Sequence, residues 1–511
     1  MGCRGNRSRD QTHRERFGEE SARCSASLLR RDHRQSHQHS ALRFHGTVGA
    51  RSGPRTLAQR VGAGAGVIRA IVLAAGKGTR MKSSRTKVLH EICGRPMLWY
   101  VLESLRRGGI EEIVVVVNDE LNAEMAQFGV PAVLQSEQRG TGDAVRVALE
   151  RLDPRSGGRV VVTCGDMPLV PPEVFVSILR PLDAKEGVAM SLLTAKMPLP
   201  SNFGRIVRKG THVERIVEAS DATPQQLALD EMNAGIYAFD EGALRDAVTK
   251  LRNDNAQREY YLTDVVAYFV GSGRRVEPVA ASDFSHVLGI NDRAELALAR
   301  REMNARLCAQ HMADGVTIVD PATTYLEPEL RIGADTVIYP NSTISRLSEL
   351  GSHCTIGPNS RLSNARLGDR VTVRESVIVD ASVGDDTSIG PFAHLRGGAA
   401  LAQDVRVGNF VEIKNSQLAA RVKAGHLAYL GDATVGEDSN VGAGTITCNF
   451  DGERKNETTI GRGVSIGSNT SLVAPVTLGD GSLTGAGSVV TRDVPAGERV
   501  AGNPARPLPK K

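Results

Sequence analysis

The 511-residue chain is 41% apolar, 4% aromatic and 24% charged, with 53 glycines and a formal net charge of +5. That length calls for two domains with appendages, and so few large rings beside so much glycine suggest a fold that repeats a small unit. No apolar run is long enough to cross a bilayer, and the seven cysteines form no C-x-x-C pair. This argues against a membrane anchor, a cysteine zinc site and a disulfide framework, and fits a cytoplasmic protein.

Residues 1–66 carry a strong excess of Arg over Asp and Glu, with many Ser, His and Gln. The positive balance belongs to this stretch, so the remainder gives no reason to expect nucleic acid as a partner. The segment shows neither helical nor strand periodicity, and disorder is the expectation for it. The first structured pattern begins near Val67, as if this basic extension came from an upstream start codon.

From residue 67 to 293 short branched runs, such as Glu112–Val117 and Arg159–Thr163, alternate with helical stretches. The alternation predicts a mostly parallel sheet covered by helices, with ligands at the carboxyl ends of the strands. One such end is Ile71-Val72-Leu73-Ala74-Ala75-Gly76-Lys77-Gly78-Thr79-Arg80-Met81. Gly76 and Gly78 leave main-chain N–H groups open to a ligand, and Lys77, Arg80 and Lys87 add positive charge, a combination suited to a polyphosphate. The spacing is neither that of a Walker A loop, since Ile71 and Gly78 occupy decisive places, nor that of the dinucleotide fingerprint, since Arg80 and Met81 stand where a third glycine is needed. With Thr86-Lys87-Val88-Leu89 downstream, it resembles the signature loop of the sugar-1-phosphate nucleotidyltransferases.

Cys164-Gly165-Asp166 places a carboxylate at a second strand end, where Mg²⁺ held by few protein oxygens would meet phosphate and water. The resemblance implies Asn291 as the second ligand. It also implies that Leu73, Ala74, Ala75, Gly76, Lys87, Cys164, Gly165 and Asp166 bind UTP or the nucleotide sugar, and that Gln135, Gly140 and Thr141 read the nucleobase. Gly204, Glu218 and Asn233 would hold the hexose hydroxyls and N-acetyl group.

Residues 294–314 read as a helical linker, ending before Gly315. From 315 to 511 the period becomes six: Ile332, Ile338, Ile344, Leu350, Ile356 and Leu362 form one register, Val383, Ile389, Leu395, Leu401, Val407 and Ile413 a second, and Ile460, Ile466, Leu472 and Leu478 a third. That spacing predicts a hexapeptide β-helix with one aliphatic side chain per face pointing inward. Register shifts near Leu367, Leu418 and residues 450–459 are expected to mark loops leaving the prism.

Within this region Ala424-Gly425-His426-Leu427-Ala428-Tyr429-Leu430-Gly431-Asp432-Ala433 resembles the acetyltransferase site of the bacterial bifunctional UDP-N-acetylglucosamine pyrophosphorylase/glucosamine-1-phosphate N-acetyltransferase family, and the resemblance extends through both domains. It implies an α/β chain in which a Rossmann-like nucleotidyltransferase domain precedes a left-handed parallel β-helix. His426 is the implied general base for acetyl transfer from acetyl-CoA to glucosamine 1-phosphate. Arg396, Lys414 and Lys455 would bind the sugar phosphate, Tyr429 and Asn440 the ring, and Ala443, Asn449, Phe450, Ser468 and Ala486 the acetyl-CoA, with Arg506 for its phosphates. Cys164 and Phe450 stand where the family usually has tyrosines. The family is expected to form homotrimers. The competing expectation is a nucleotidyltransferase whose β-helix is purely structural or regulatory.

Overall fold

The computed structural model describes residues 66–508, so the expectation for the basic extension lies almost wholly outside the described residues. The first domain is built on a nine-stranded sheet. Its main path runs Arg275–Ala280, Val188–Lys196, Glu231–Asp240, Arg159–Cys164, Ile68–Leu73, Glu112–Val117 and Ala132–Leu134. All of these strands are parallel except Glu231–Asp240, which runs antiparallel to both neighbours. A hairpin of Arg205–Lys209 and His212–Val217 hangs from that reversed strand.

The central strand Ile68–Leu73 is buried on both faces, as its unbroken apolar run requires, and separates two cores. Helices Met97–Arg107 and Pro172–Ala184 pack on one side; Thr141–Arg151, Glu241–Val248 and Asp264–Gly271 pack on the other. Helix Arg293–Ala313, expected as a plain connector, also closes the first domain: Leu296, Ala299 and Met303 pack on Met81, Ile92, Met97 and Ile290, directly beneath the glycine loop. Its N-cap, Asp292, accepts hydrogen bonds from the backbone N–H groups of Ala294 and Glu295, so the residue before it, Asn291, has a fixed place.

Beyond Gly315 short strands wind into a three-faced prism. One face is a 12-stranded ladder, eleven parallel strands closed by an antiparallel end strand; the other two join into a 17-stranded sheet through Arg361–Leu367 and Val377–Val383, which run across a corner. Each six-spaced aliphatic residue from Ile338 onward is buried in one continuous core, with Ile332 half-buried at its start. Each such side chain contributes roughly 1.5–3 kcal/mol relative to exposure. Corners are turned by residues with left-handed backbone, many of them Asn or Asp such as Asn341, Asn359, Asp404 and Asn415, which tolerate that region better than other non-glycine residues.

The three register shifts behave differently. At Leu367 and Leu418 no loop leaves the prism: Leu350 pairs with Leu367, and Leu401 with Leu418, one position short of the eighteen-residue coil, and the corner absorbs the difference. At 450–459 the expectation holds, since Val435 pairs with Ile460 twenty-five positions on, and the extra residues form a loop carrying Phe450 and Lys455.

Candidate active sites

At the carboxyl end of the first sheet lies a pocket of about 260 Å³ lined by Leu73, Ala74, Ala75, Gly76, Gln135 and Asp166, among others. The strand ends bind one another: the N–H of Gly165 donates to Leu73 O and that of Ala74 to Val116 O, both at 2.9 Å. Gly165 permits this approach, because a Cβ there would stand 3.2 Å from Ala74 Cβ.

The two loop glycines serve different ends. A Cβ on Gly76 would meet nothing within 4 Å, which leaves that space to a ligand. Gly78, expected to open the backbone to phosphate, instead makes room for Lys87: its φ is +58°, and a Cβ there would lie 2.6 Å from Lys87 Cβ.

Lys87 forms an ion pair with Asp166 and donates to Asn291 Oδ1 at 2.9 Å; Arg80 also donates to Asn291 Oδ1 at 2.9 Å. The backbone N–H of Asn291 donates to Glu295, and that of Ile290 donates to Asp166 O, which ties the two segments together. Asp166 and Asn291 thus turn hard oxygen donors toward one ammonium. Such a pair fits Mg²⁺, which takes few protein ligands. Among the described residues no cluster of three or more His, Cys, Asp or Glu offers an all-protein metal cage.

At the end expected to receive the nucleobase, Gly140 at φ +108° lets the turn pack against Tyr260, whose backbone oxygen would be 2.7 Å from an added Cβ. Thr141 begins helix Thr141–Arg151 and its hydroxyl accepts from the Leu262 N–H. Gln135 is buried and donates to Asp143 and to Gly140 O, while Gln138, which sequence reasoning passed over, donates to Ala75 O at 2.9 Å.

The three residues expected at the sugar end are brought together. A Cβ on Gly204 would lie 3.3 Å from Glu218, and the Asn233 N–H donates to Gly204 O at 2.8 Å. Burial raises the Glu218 carboxyl above the usual range, against a 3.0 Å hydrogen bond from Thr263 that lowers it. Tyr237, likewise pushed up by burial, accepts from Asn233 Nδ2 at 2.7 Å. Burial, and then the neighbouring Asp166, push the Cys164 thiol up to about 12, against Lys87, which lowers it.

In the prism, His426 is exposed at the end of strand Lys423–His426, with Nδ1 2.7 Å from Asn409 Oδ1 one coil away. An amide oxygen only accepts, so Nδ1 carries the proton and Nε2 keeps a free lone pair. Asn409 was not among the expected residues. The next residue, Leu427, has φ 47° in the left-handed region and turns the chain onto the neighbouring face.

On that face Arg396 and Lys414 follow the paired positions Leu395 and Ile413 on successive coils. Arg396 donates to Glu412 at 2.7 Å. Contact with the Lys455 ammonium lowers the Lys414 pKa, and Arg396 adds to the effect, so the three expected cations converge. The Tyr429 hydroxyl lies over Gly431, where an added Cβ would be 2.4 Å away, next to Asn449, which donates to Asp432. Asn440 stands on the 12-stranded face, paired with Lys423, around the corner from these groups.

Ala443, Ser468 and Ala486 follow Gly442, Gly467 and Gly485 at one corner on consecutive coils. A Cβ on Gly442 or Gly467 would meet the next coil at about 2.4–2.5 Å, which accounts for the small residues there. Phe450 is 60% exposed on the inserted loop. Arg506 is exposed on the last coil, paired with Ala501.

This pairing of folds defines a two-domain transferase. Residues 70–233 match the MobA-like NTP transferase domain, and residues 457–492 match the bacterial transferase hexapeptide, six repeats. The chain is 45% identical to the Bifunctional protein GlmU of Geobacillus sp. (strain WCH70) over 83% of this chain and 93% of that protein. It is 45% identical to that of Trichlorobacter lovleyi over 83% and 94%, and 44% identical to that of Streptomyces avermitilis over 84% and 90%. The chain belongs to the GlmU family. It is a bifunctional enzyme, an N-acetylglucosamine-1-phosphate uridylyltransferase and glucosamine-1-phosphate N-acetyltransferase.

Proposed function

We propose that the two sites work in sequence, the prism acetylating glucosamine 1-phosphate and the first domain joining the product to UMP from UTP. In the prism, His426 Nε2 takes a proton from the sugar amine as its nitrogen attacks the thioester carbonyl of acetyl-CoA, and the CoA thiolate leaves. A neutral imidazole with a free ring nitrogen suits this transfer. Asn409 holds the ring in the tautomer that the step needs. Arg396, Lys414 and Lys455 receive the sugar phosphate, whose charge relieves the repulsion that lowers Lys414. Tyr429 and Asn440 position the ring, while Ala443, Asn449, Phe450, Ser468, Ala486 and Arg506 form the acetyl-CoA track.

In the first domain a phosphate oxygen of N-acetylglucosamine 1-phosphate attacks the α-phosphorus of UTP, and pyrophosphate leaves. Leu73, Ala74, Ala75 and Gly76 form the wall along the nucleotide, and Gln135, Gly140 and Thr141 receive the base. Gly204, Glu218 and Asn233 hold the sugar. Lys87, paired here with Asp166 and Asn291, stands beside the nucleotide pocket, where its ammonium would meet the triphosphate. Mg²⁺ bound by Asp166 and Asn291 would supply charge neutralisation on the phosphates. No protein nucleophile is required.

The observation that carries this reading is the convergence of two oxygen donors on the Lys87 ammonium in one domain and of three cations in the other. Removing divalent metal with EDTA is expected to stop pyrophosphate release while thiol release continues. Loss of both, or of neither, would contradict the assignment.

The assembly we propose is a homotrimer in the cytoplasm. Phe392 and Phe410 stack 5.4 Å apart on neighbouring coils, both more than half exposed, beside exposed Leu427. An apolar ladder of this kind favours self-association. Among the described residues no helix is long and apolar enough to cross a membrane. Sedimentation at the mass of a single chain would overturn the trimer.

A further inference from the structure

Gln135 lines the nucleotide pocket, whereas Asp143 lies behind it, lining a separate cleft with Arg146. Each is only 5% exposed. Gln135 Nε2 is 2.9 Å from Asp143 Oδ2 and 3.2 Å from Gly140 O. A carboxylate and a carbonyl oxygen can only accept, so the amide must turn its NH₂ toward both. That leaves the Gln135 carbonyl oxygen as the polar atom available to a ligand. Asp143 is itself anchored, because its other oxygen pairs with Arg146 one turn further along the same helix.

We propose that Asp143 is the specificity-determining positioning residue for the nucleobase. By fixing the Gln135 amide with its carbonyl outward, it selects a pyrimidine with N–H at ring position 3, as in uracil, over one with a lone pair there, as in cytosine. An acceptor facing the uracil N–H makes a hydrogen bond; the same acceptor facing the cytosine lone pair leaves two buried acceptors in contact, which costs far more than a missing bond. The inference rests on the reading that Gln135 faces the base.

The test measures kcat/KM for UTP and for CTP, with N-acetylglucosamine 1-phosphate as the second substrate, in the unaltered enzyme and in Asp143→Asn, Asp143→Ala and Gln135→Ala. In Asp143→Asn the carbonyl of the new amide goes to Arg146 and its NH₂ faces Gln135, which frees Gln135 to turn. The UTP:CTP ratio is expected to fall on the order of tenfold in both Asp143 variants and in Gln135→Ala. A ratio measured on one preparation does not depend on the fraction folded, so a purely structural role would lower both rates and leave it unchanged. An unchanged ratio in both Asp143 variants beside a lowered one in Gln135→Ala overturns the proposal and leaves the reading of Gln135 standing. An unchanged ratio in Gln135→Ala overturns that reading, and the proposal with it.

Discussion

Lys87 and Asn291 stand 204 positions apart in the chain and 2.9 Å apart in space, Nζ to Oδ1, with Asp166 on the same ammonium. A side chain thus occupies the point that the proposed mechanism gives to a divalent cation. The two oxygens that would hold Mg²⁺ are the ones paired with this ammonium, so the carboxylate is not left unpaired. Asp166→Asn should therefore lower uridylyl transfer at least about 10²-fold and raise the Mg²⁺ concentration for half-maximal rate, with acetyl transfer unchanged. Steady-state assays of both half-reactions across a Mg²⁺ titration check this.

The prism's base is predicted to behave in the opposite way. His426→Ala should lower acetyl transfer by about 10²–10⁴-fold and leave uridylyl transfer intact. Asn409→Ala should slow acetylation by about tenfold through kcat, because the ring survives without its fixed tautomer. Measuring kcat and KM separately distinguishes this from lost binding.

Lys414 gives a pH prediction. Its folded value lies below that of an ordinary lysine because Lys455 stands beside it. The folded protein therefore binds fewer protons than the unfolded chain between the lowered and ordinary values, so this group's contribution to stability rises with pH across that window. Binding of the sugar phosphate runs the other way. The anion favours charged Lys414, so affinity should fall as pH rises through the lowered value, with proton uptake on binding below the ordinary lysine range. Calorimetry in buffers of different ionisation enthalpy measures the uptake, and Lys414→Met should abolish it.

Stability of the first domain is predicted to hinge on Glu241. This carboxylate, 1% exposed, accepts from Arg245 at 2.9 and 3.0 Å, from Arg69 at 3.4 Å and from the Arg155 N–H at 3.3 Å. Glu241→Ala removes the carboxylate of Arg245 and one partner of buried Arg69, which keeps Glu112 at 3.1 Å and Asp153 O at 2.8 Å, and should cost about 1–3 kcal/mol. Denaturant unfolding followed in the first domain would show it.

The inserted loop should be separable from the prism. Deleting residues 450–456 shortens the long coil to the eighteen-residue repeat of its neighbours, so the β-helix should stay folded while acetyl transfer is lost with Lys455 and Phe450. Circular dichroism and the thiol assay read the two effects independently.

The inward positions were legible because period six is itself the packing rule: residues from Ile338 to Leu478 point inward wherever the register holds. The same period would have stacked Arg396 over Lys414, eighteen positions apart. What sequence did not reveal is pairing across coils and turns. Asn409 meets His426 only because a seventeen-residue coil aligns them, and a shortened corner leaves the same trace as a departing loop, which is why Leu367 and Leu418 misled. Gly78 was read as ligand space, since the side chain it admits, Lys87, returns from nine positions on. Asp143 carried no signal at all, because a buried carboxylate behind a glutamine looks like any charged residue in the first turn of a helix.

The most direct measurement supplies purified protein with glucosamine 1-phosphate, acetyl-CoA, UTP and Mg²⁺, and follows free thiol and pyrophosphate separately. The account predicts that thiol appears first, that pyrophosphate follows after a lag, and that omitting acetyl-CoA suppresses both. Pyrophosphate release at full rate without acetyl-CoA, or no thiol release at all, would contradict it.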